Sequence, residues 1–245
     1  MPQFQKFFED KYQLQANCTL CHLAGRSGLN DYGRGFVDNG LSAAAIDALA
    51  KMDLDKDGYS SAQEIAAGSN PGDSSSTPKN AGGWLKNPYP VRPDLKLLNS
   101  SFPDAERFTI LRAVLPKEDL ARFQGIAGAV IEDFDRYLFV ILAKGSKGVL
   151  GGSSYAGVLE KDSRGAKLNV FLVSANPNGK IVRVEPVRVW RSIFKKSSFL
   201  KMFRDLWPDE INRIKLPAPI EPELAGVIKA QFAKCATQID LAIGP

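Results

Sequence analysis

The residues best suited to chemistry are Cys18, Cys21 and His22, in the run Cys18-Thr19-Leu20-Cys21-His22. Two cysteines three apart lie on one face of a helical turn, where both sulfurs can reach the two vinyl groups of a porphyrin, and the histidine that follows can place its imidazole on the iron. This is the spacing of covalent c-type haem attachment, with Cys18 and Cys21 as thioether donors and His22 as the proximal iron ligand. A closed zinc site needs four Cys or His ligands, but the third cysteine, Cys235, is distant and His22 is the sole histidine. A redox dithiol would sit where a strand turns into a helix, whereas residues 2–15 read as a helix that runs straight into Cys18. A single histidine also excludes a bis-histidine haem within one chain.

A second run fills a twelve-residue calcium-loop pattern: Asp53-Leu54-Asp55-Lys56-Asp57-Gly58-Tyr59-Ser60-Ser61-Ala62-Gln63-Glu64. Its ligands would be Asp53, Asp55 and Asp57, the Tyr59 carbonyl, Ser61 directly or through water, and Glu64 as a bidentate carboxylate. Four carboxylates this close repel one another unless a cation joins them; the alternative is an acidic helix-turn-helix without metal. One such loop, with no Met-rich groove beside it, points to structural rather than signalling calcium. Millimolar calcium outside the cytoplasm would fill even a weak site.

Methionine sulfur is the usual partner of a single histidine in an electron-transfer haem. Met1, Met52 and Met202 are the candidates, and Met52 is the best placed as distal ligand, although the position just before a calcium loop also suits packing into the helix-helix core. Without a methionine, a lysine, an asparagine or water would complete the iron, and an open iron would permit small-ligand chemistry.

These residues must be positioned by short helices. Phe4, Phe7, Phe8, Tyr12 and Leu14 form an amphipathic stripe on the entry helix. A glycine-punctuated loop from Gly25 to Gly33 would wrap the haem edge. Ser42 is placed to cap a helix over residues 43–52. From Gly68 to Pro103 the chain is rich in Ser, Gly, Asn and Pro, the composition of a connector in which Trp84 and Tyr89 stand out.

Beyond it the periodicity predicts helices over 104–114 and 117–123, then strands over 126–131, 136–143, 154–159, 167–175 and 180–189, then helices over 198–206 and 222–236. Asn178-Gly179 signals a tight hairpin between the last two strands. The expected fold class is therefore multidomain: an all-α haem domain (1–70), a linker (71–103) and an α+β domain with a mainly antiparallel sheet (104–245).

The chain has 245 residues, 44% of them hydrophobic, enough for two modest domains. No apolar run reaches the ~20 residues of a membrane-spanning helix. Residues 1–80 carry a formal charge of −3 and the remainder +8, as two differently charged modules would. The basic residues are too dispersed for a nucleic-acid binder. The exception is the cluster Lys195, Lys196, Lys201 and Arg204, which suits a solvated helix face or a docking patch for an acidic redox partner. Cys235 fits a buried small hydrophobe.

The haem run, Leu29-Asn30-Asp31-Tyr32-Gly33, the loop 53–64 and Ala67-Gly68-Ser69-Asn70-Pro71-Gly72-Asp73 together resemble small exported bacterial cytochrome c domains with an aspartate-rich calcium loop. The likeness covers about 70 residues and implies an all-helical haem module with His22 proximal. Residues ~105–240 resemble, by order of elements, the FMN-binding domain of flavin subunits in Rnf-type and sodium-pumping quinone reductase complexes: Gly148-Val149-Leu150-Gly151-Gly152, a strand, Asn178-Gly179-Lys180-Ile181-Val182, then Ser198 to Phe203 and a closing helix. That family esterifies FMN to a threonine at the start of its last helix. Here the matching stretch, Pro222 to Val227, has no hydroxyl, so the expectation is that fold without flavin.

The expected function is a periplasmic c-type cytochrome with haem c and calcium. It would be exported by a signal peptide absent from a chain that starts Met1-Pro2-Gln3, and would pass electrons as a carrier or as a subunit docked on a respiratory or photosynthetic complex. The alternatives are a haem or flavohaem oxidoreductase with open iron, or a structural subunit stabilised by haem and calcium. No catalytic residue is assigned: a peroxidase-type distal acid/base is commonly histidine, of which there is no second one, which leaves a distal Glu, Asp or Arg for that role.

Overall fold

Residues with short polar side chains start the helices of the first part of the chain. α1 (Pro2–Tyr12) is followed by a 3-10 turn (Cys18–Leu20), α2 (Asp31–Asp38), α3 (Ala43–Leu49) and α4 (Ser61–Ala67). Asn30 caps α2 by accepting from the Gly33 amide, and Ser42 caps α3 by accepting from Ala45. Ser60 and Gln63 form a reciprocal capping box on α4, each helix start thus meeting amides that have no partner within the helix. The computed structural model describes residues 2–14, 16, 18–23, 28–82, 94–131, 133–162 and 165–244. Part of the glycine loop, Trp84 and Tyr89, and residues 83–93 of the expected linker lie outside them.

The aromatic stripe of α1 is buried against its neighbours. Phe7 and Phe8 are almost fully enclosed, and Phe4 meets Phe36 of α2 edge-on at 5.4 Å. Tyr32 and Phe36 of α2, Ile46 and Leu49 of α3 and Ile65 of α4 are also in the core. Residues 69–82, expected to begin a connector, fold instead into hydrogen-bonded turns, with Ser69, Asn70, Pro71, Gly72 and Ser76 buried.

The remaining elements are α5 (Leu95–Ser101), β1 (Arg107–Val114), α6 (Leu120–Ala127), β2 (Tyr137–Gly145), β3 (Gly148–Asp162), β4 (Gly165–Ala175), β5 (Ile181–Arg188), α7 (Ser197–Lys201), α8 (Pro208–Ile211) and α9 (Pro222–Ile243). The strands form a five-stranded antiparallel meander in the order β1-β2-β3-β4-β5. α9 lies on β2 and β3. Phe171, Phe203 and Phe232 pack edge-to-face between sheet and helices at 4.7 to 5.1 Å, a geometry that aligns ring edges with ring faces. Gly151 has no room for a side chain: a Cβ would fall 2.2 Å from the Ala175 carbonyl oxygen. Cys235 is buried on α9, and burial pushes its thiol up to about 12, as suits an inert packing residue.

This architecture corrects the expected fold class. In place of an all-α haem domain followed by a separate α+β domain, the chain forms a mixed α/β fold with one five-stranded antiparallel sheet among the described residues. It divides into two compact units, Met1–Arg92 with Arg164–Ala166, and Pro93–Ser163 with Lys167–Pro245. The first unit joins its short helices through hydrogen-bonded turns.

Three local expectations also change. Residues 107–114 are a strand rather than part of a helix, because all eight pair with β2, from Arg107 with Lys144 to Val114 with Tyr137, a long-range pairing that periodicity does not see. Residues 126–131 are not a strand: α6 runs to Ala127 and ends on Gly128 at φ +57°. The hairpin at 176–180 forms, but only Gly179 takes positive φ, +77°. The Asn176 carboxamide organises it by accepting from the amides of Asn178 and Lys180.

Candidate functional site

Cys18, Cys21 and His22 fall on one tight turn, closed by the amides of Cys21 and His22 donating to the Cys18 carbonyl at 3.3 and 3.0 Å. Cys18 is exposed and Cys21 half-buried, and both are free thiols. Burial pushes the Cys21 thiol up to about 11. A thiol raised in this way lacks the depressed pKa of redox dithiols. His22 Nδ1 lies 3.0 Å from the Gly28 carbonyl oxygen. With Nδ1–H donating there, the imidazole is fixed in orientation and in the tautomer whose Nε2 ligates a metal.

The turn is held from behind by two buried asparagines. The Asn30 amide nitrogen donates to the carbonyls of Thr19 (2.9 Å) and Leu20 (3.0 Å), while its oxygen accepts from the Gly33 amide (2.8 Å). Asn70, following the loop 53–64 and α4, donates to the same Thr19 carbonyl at 3.1 Å. Two glycines make room: a Cβ on Gly33 would sit 2.1 Å from the Cys21 carbonyl oxygen, and one on Gly72 2.5 Å from the Asn30 carboxamide. The spacing rules for haem and calcium motifs do not reach Asn30, Asn70, Gly33 or Gly72. The sequence signals for them are an Asn preceding Asp31 as a helix cap and the two runs, 29–33 and 67–73, that carry the resemblance to cytochrome c domains.

Replacing Asn30 by Ala leaves the Leu20 carbonyl and the Gly33 amide short of a partner in the interior, each costing about 1–3 kcal/mol, while the Thr19 carbonyl keeps Asn70. We expect Asn30→Ala to destabilise the first unit by roughly 2–4 kcal/mol, read as a lowered thermal midpoint and a lower yield of haem-loaded protein. A midpoint within a degree of the unsubstituted protein would refute this role.

The hydroxyls of Tyr12 and Tyr32 are buried and meet no hydrogen-bond partner among the described residues. Burial, then the neighbouring Cys21 and Tyr12, raise the Tyr32 hydroxyl well above its usual range. Unmet donors in the neighbourhood of Cys21 would suit a group that brings acceptor oxygens, as the two carboxylates of a haem would.

The acidic loop gathers carboxylates that could hold a cation. One oxygen each from Asp53, Asp55 and Asp57 lie within 4.8 Å of one another. Lys56 and Gly58 take φ of +65° and +94°, turning the chain around a common centre, with glycine at the loop's sixth position as the pattern requires. Asp53 accepts from the amides of Asp57 and Gly58, and Asp57 from Tyr59. Glu64, in the first turn of α4, is fully buried. Both its oxygens, both of Asp55 and one of Asp57 find no donor among the described residues. Burial, then Asp55, Asp57 and Asp53, push Glu64 up to about 8.

Buried carboxylate oxygens with neither donor nor countercharge are costly unless a cation sits among them. The donor set, hard oxygens only, fits calcium. Ser61 is fully buried, and its amide and hydroxyl both donate to the Met52 carbonyl (2.8 and 3.0 Å), closing the loop. Met52 itself is 41% exposed and is not part of the helix-helix core.

The FMN comparison fits less well at the residue level. α9 opens on Pro222-Glu223-Leu224-Ala225-Gly226-Val227, and Thr237, which follows Cys235-Ala236, is buried with its hydroxyl donating to Ala233 at 2.9 Å. That hydroxyl does not fit an esterified flavin phosphate. Among the described residues no helix is long and apolar enough to cross a membrane. No family model, no curated protein and no solved structure matches the chain.

Proposed function

We propose that the first unit carries one covalent haem c and that the protein is an electron-transfer cytochrome of the bacterial periplasm, working as a carrier or as a subunit docked on a larger redox complex. The observation that carries this reading is the single turn that joins Cys18 and Cys21 to an imidazole whose Nδ1 is anchored on the Gly28 carbonyl. Haem bound there supplies one-electron redox chemistry. The chain's own residues do the rest: the two thiols tether it, His22 Nε2 ligates it, and Asn30 and Asn70 keep the turn from shifting. Calcium in the loop 53–64 is structural in this reading. It neutralises the carboxylates of Asp53, Asp55, Asp57 and Glu64 and fixes α4, which leads to Asn70.

The test is an optical spectrum of purified protein in both oxidation states. A low-spin, six-coordinate reduced spectrum without flavin absorbance is expected. High-spin bands with rapid carbon monoxide binding would favour an oxidoreductase with open iron. Met52, exposed beside the loop, is the proposed distal ligand. Met52→Ala is expected to abolish the sulfur-to-iron charge-transfer band of the oxidised protein, and an unchanged band would assign the sixth position elsewhere.

A further inference from the structure

The basic cluster of the second unit is not spread over one helix face. Lys195, Lys201 and Arg204 converge with Arg183 of β5 on a cleft of about 530 Å³, into which Ser101 at the end of α5 and Ser197 at the start of α7 also open. We propose that this cleft binds the phosphate monoester of a small soluble molecule.

Four cations face one carboxylate, Glu185, in the lining. Glu185 is committed: it pairs with Arg183 and accepts from the Ser100 hydroxyl at 3.3 Å. Arg183 is further oriented by donating to the Ser100 carbonyl at 3.3 Å. Asp205 lies 3.7 Å from Arg204 and offsets it in part. The remaining positive charge suits a dianion, and hydroxyls beside guanidinium and ammonium groups are the donors that phosphate oxygens take.

One of those hydroxyls is prepared from within. Ser153 and Ser174, both fully buried, are hydrogen-bonded at 2.7 Å, and Ser174 donates onward to Ser101 at 3.0 Å. Ser101 Oγ thus already accepts one bond, and its proton has only a long contact, 3.4 Å to the Leu97 carbonyl. A ligand oxygen in the cleft would draw that proton outward and complete the hydroxyl chain. The volume matches sites for small organic ligands. Leu200 supplies apolar wall for the body that carries the phosphate. Lys196, though adjacent in sequence, is exposed and does not line the cleft.

Calorimetric titration of the full chain with ribose 5-phosphate tests this, with ribose, anionic phospholipid vesicles and an oligoglutamate peptide as comparisons. Saturable one-to-one binding of ribose 5-phosphate but not ribose is expected. Lys201→Ala and Arg204→Ala should each weaken it by about tenfold, the loss of one charge-assisted hydrogen bond, and Ser101→Ala by several-fold. Lys196→Ala should leave it unchanged. These side chains, Ser101 apart, are exposed, and an unaltered thermal midpoint confirms folding. No saturable binding, an equal loss in Lys196→Ala, or tighter binding of vesicles or oligoglutamate would overturn the proposal.

Discussion

Removing calcium from the haem-loaded protein is expected to lower the unfolding midpoint of the first unit by roughly 10 °C or more at pH 8. A cation held at a hundredfold excess over its Kd stabilises by about 2.7 kcal/mol, and each kcal/mol shifts the midpoint of a unit of this size by about 4–8 °C. The same loop sets the pH dependence. In chelator, Glu64 has a folded pKa of about 8 against an ordinary 4.5. The folded state therefore prefers the protonated acid, and stability falls as pH rises through the window between those values. With calcium the ionised carboxylate is the ligand, so the gap between the two conditions widens from pH 5 to pH 8. Glu64→Gln should remove the calcium-dependent shift. Because the amide carries no charge, it should also raise the metal-free midpoint at pH 8. Identical midpoints with and without chelator at pH 8 would mean that the loop holds no cation.

The second large effect belongs to His22. As the chain's only histidine, it has no substitute: His22→Ala should keep porphyrin tethered at Cys18 and Cys21 but convert the reduced spectrum completely from low to high spin. Externally added imidazole should restore the low-spin bands, since the anchor on Gly28 orients the native ring but supplies no bond to iron. A low-spin spectrum in the variant without added imidazole would show that another residue, not His22, is the proximal ligand.

Features that depend on local spacing were legible in the sequence. The turn at Cys18–His22, the loop with Gly58 at φ +94°, and the cap at Ser42 each follow from residue types a few positions apart. What depends on distant pairing was not. β1 has helix-compatible spacing and a mostly exposed surface, so neither periodicity nor hydrophobic alternation marks it; only its register with β2 makes it a strand. The fold class failed for the same reason, since it rested on reading residues 71–103 as bare connector between two modules, whereas residues 71–82 are packed into hydrogen-bonded turns and residues 95–101 are α5. The Lys195 to Arg204 cluster was visible as charge, but its convergence on Ser101 and Arg183 needed the folded positions of α5 and β5.

Every role proposed for the first unit rests on one haem bonded to Cys18 and Cys21. Intact mass spectrometry of denatured protein, produced in a host that matures c-type cytochromes, tests it most directly. The expected mass is the polypeptide plus one haem, reverting to the bare polypeptide in the Cys18→Ala, Cys21→Ala double variant. The mass of the unmodified chain in the unsubstituted protein would contradict it.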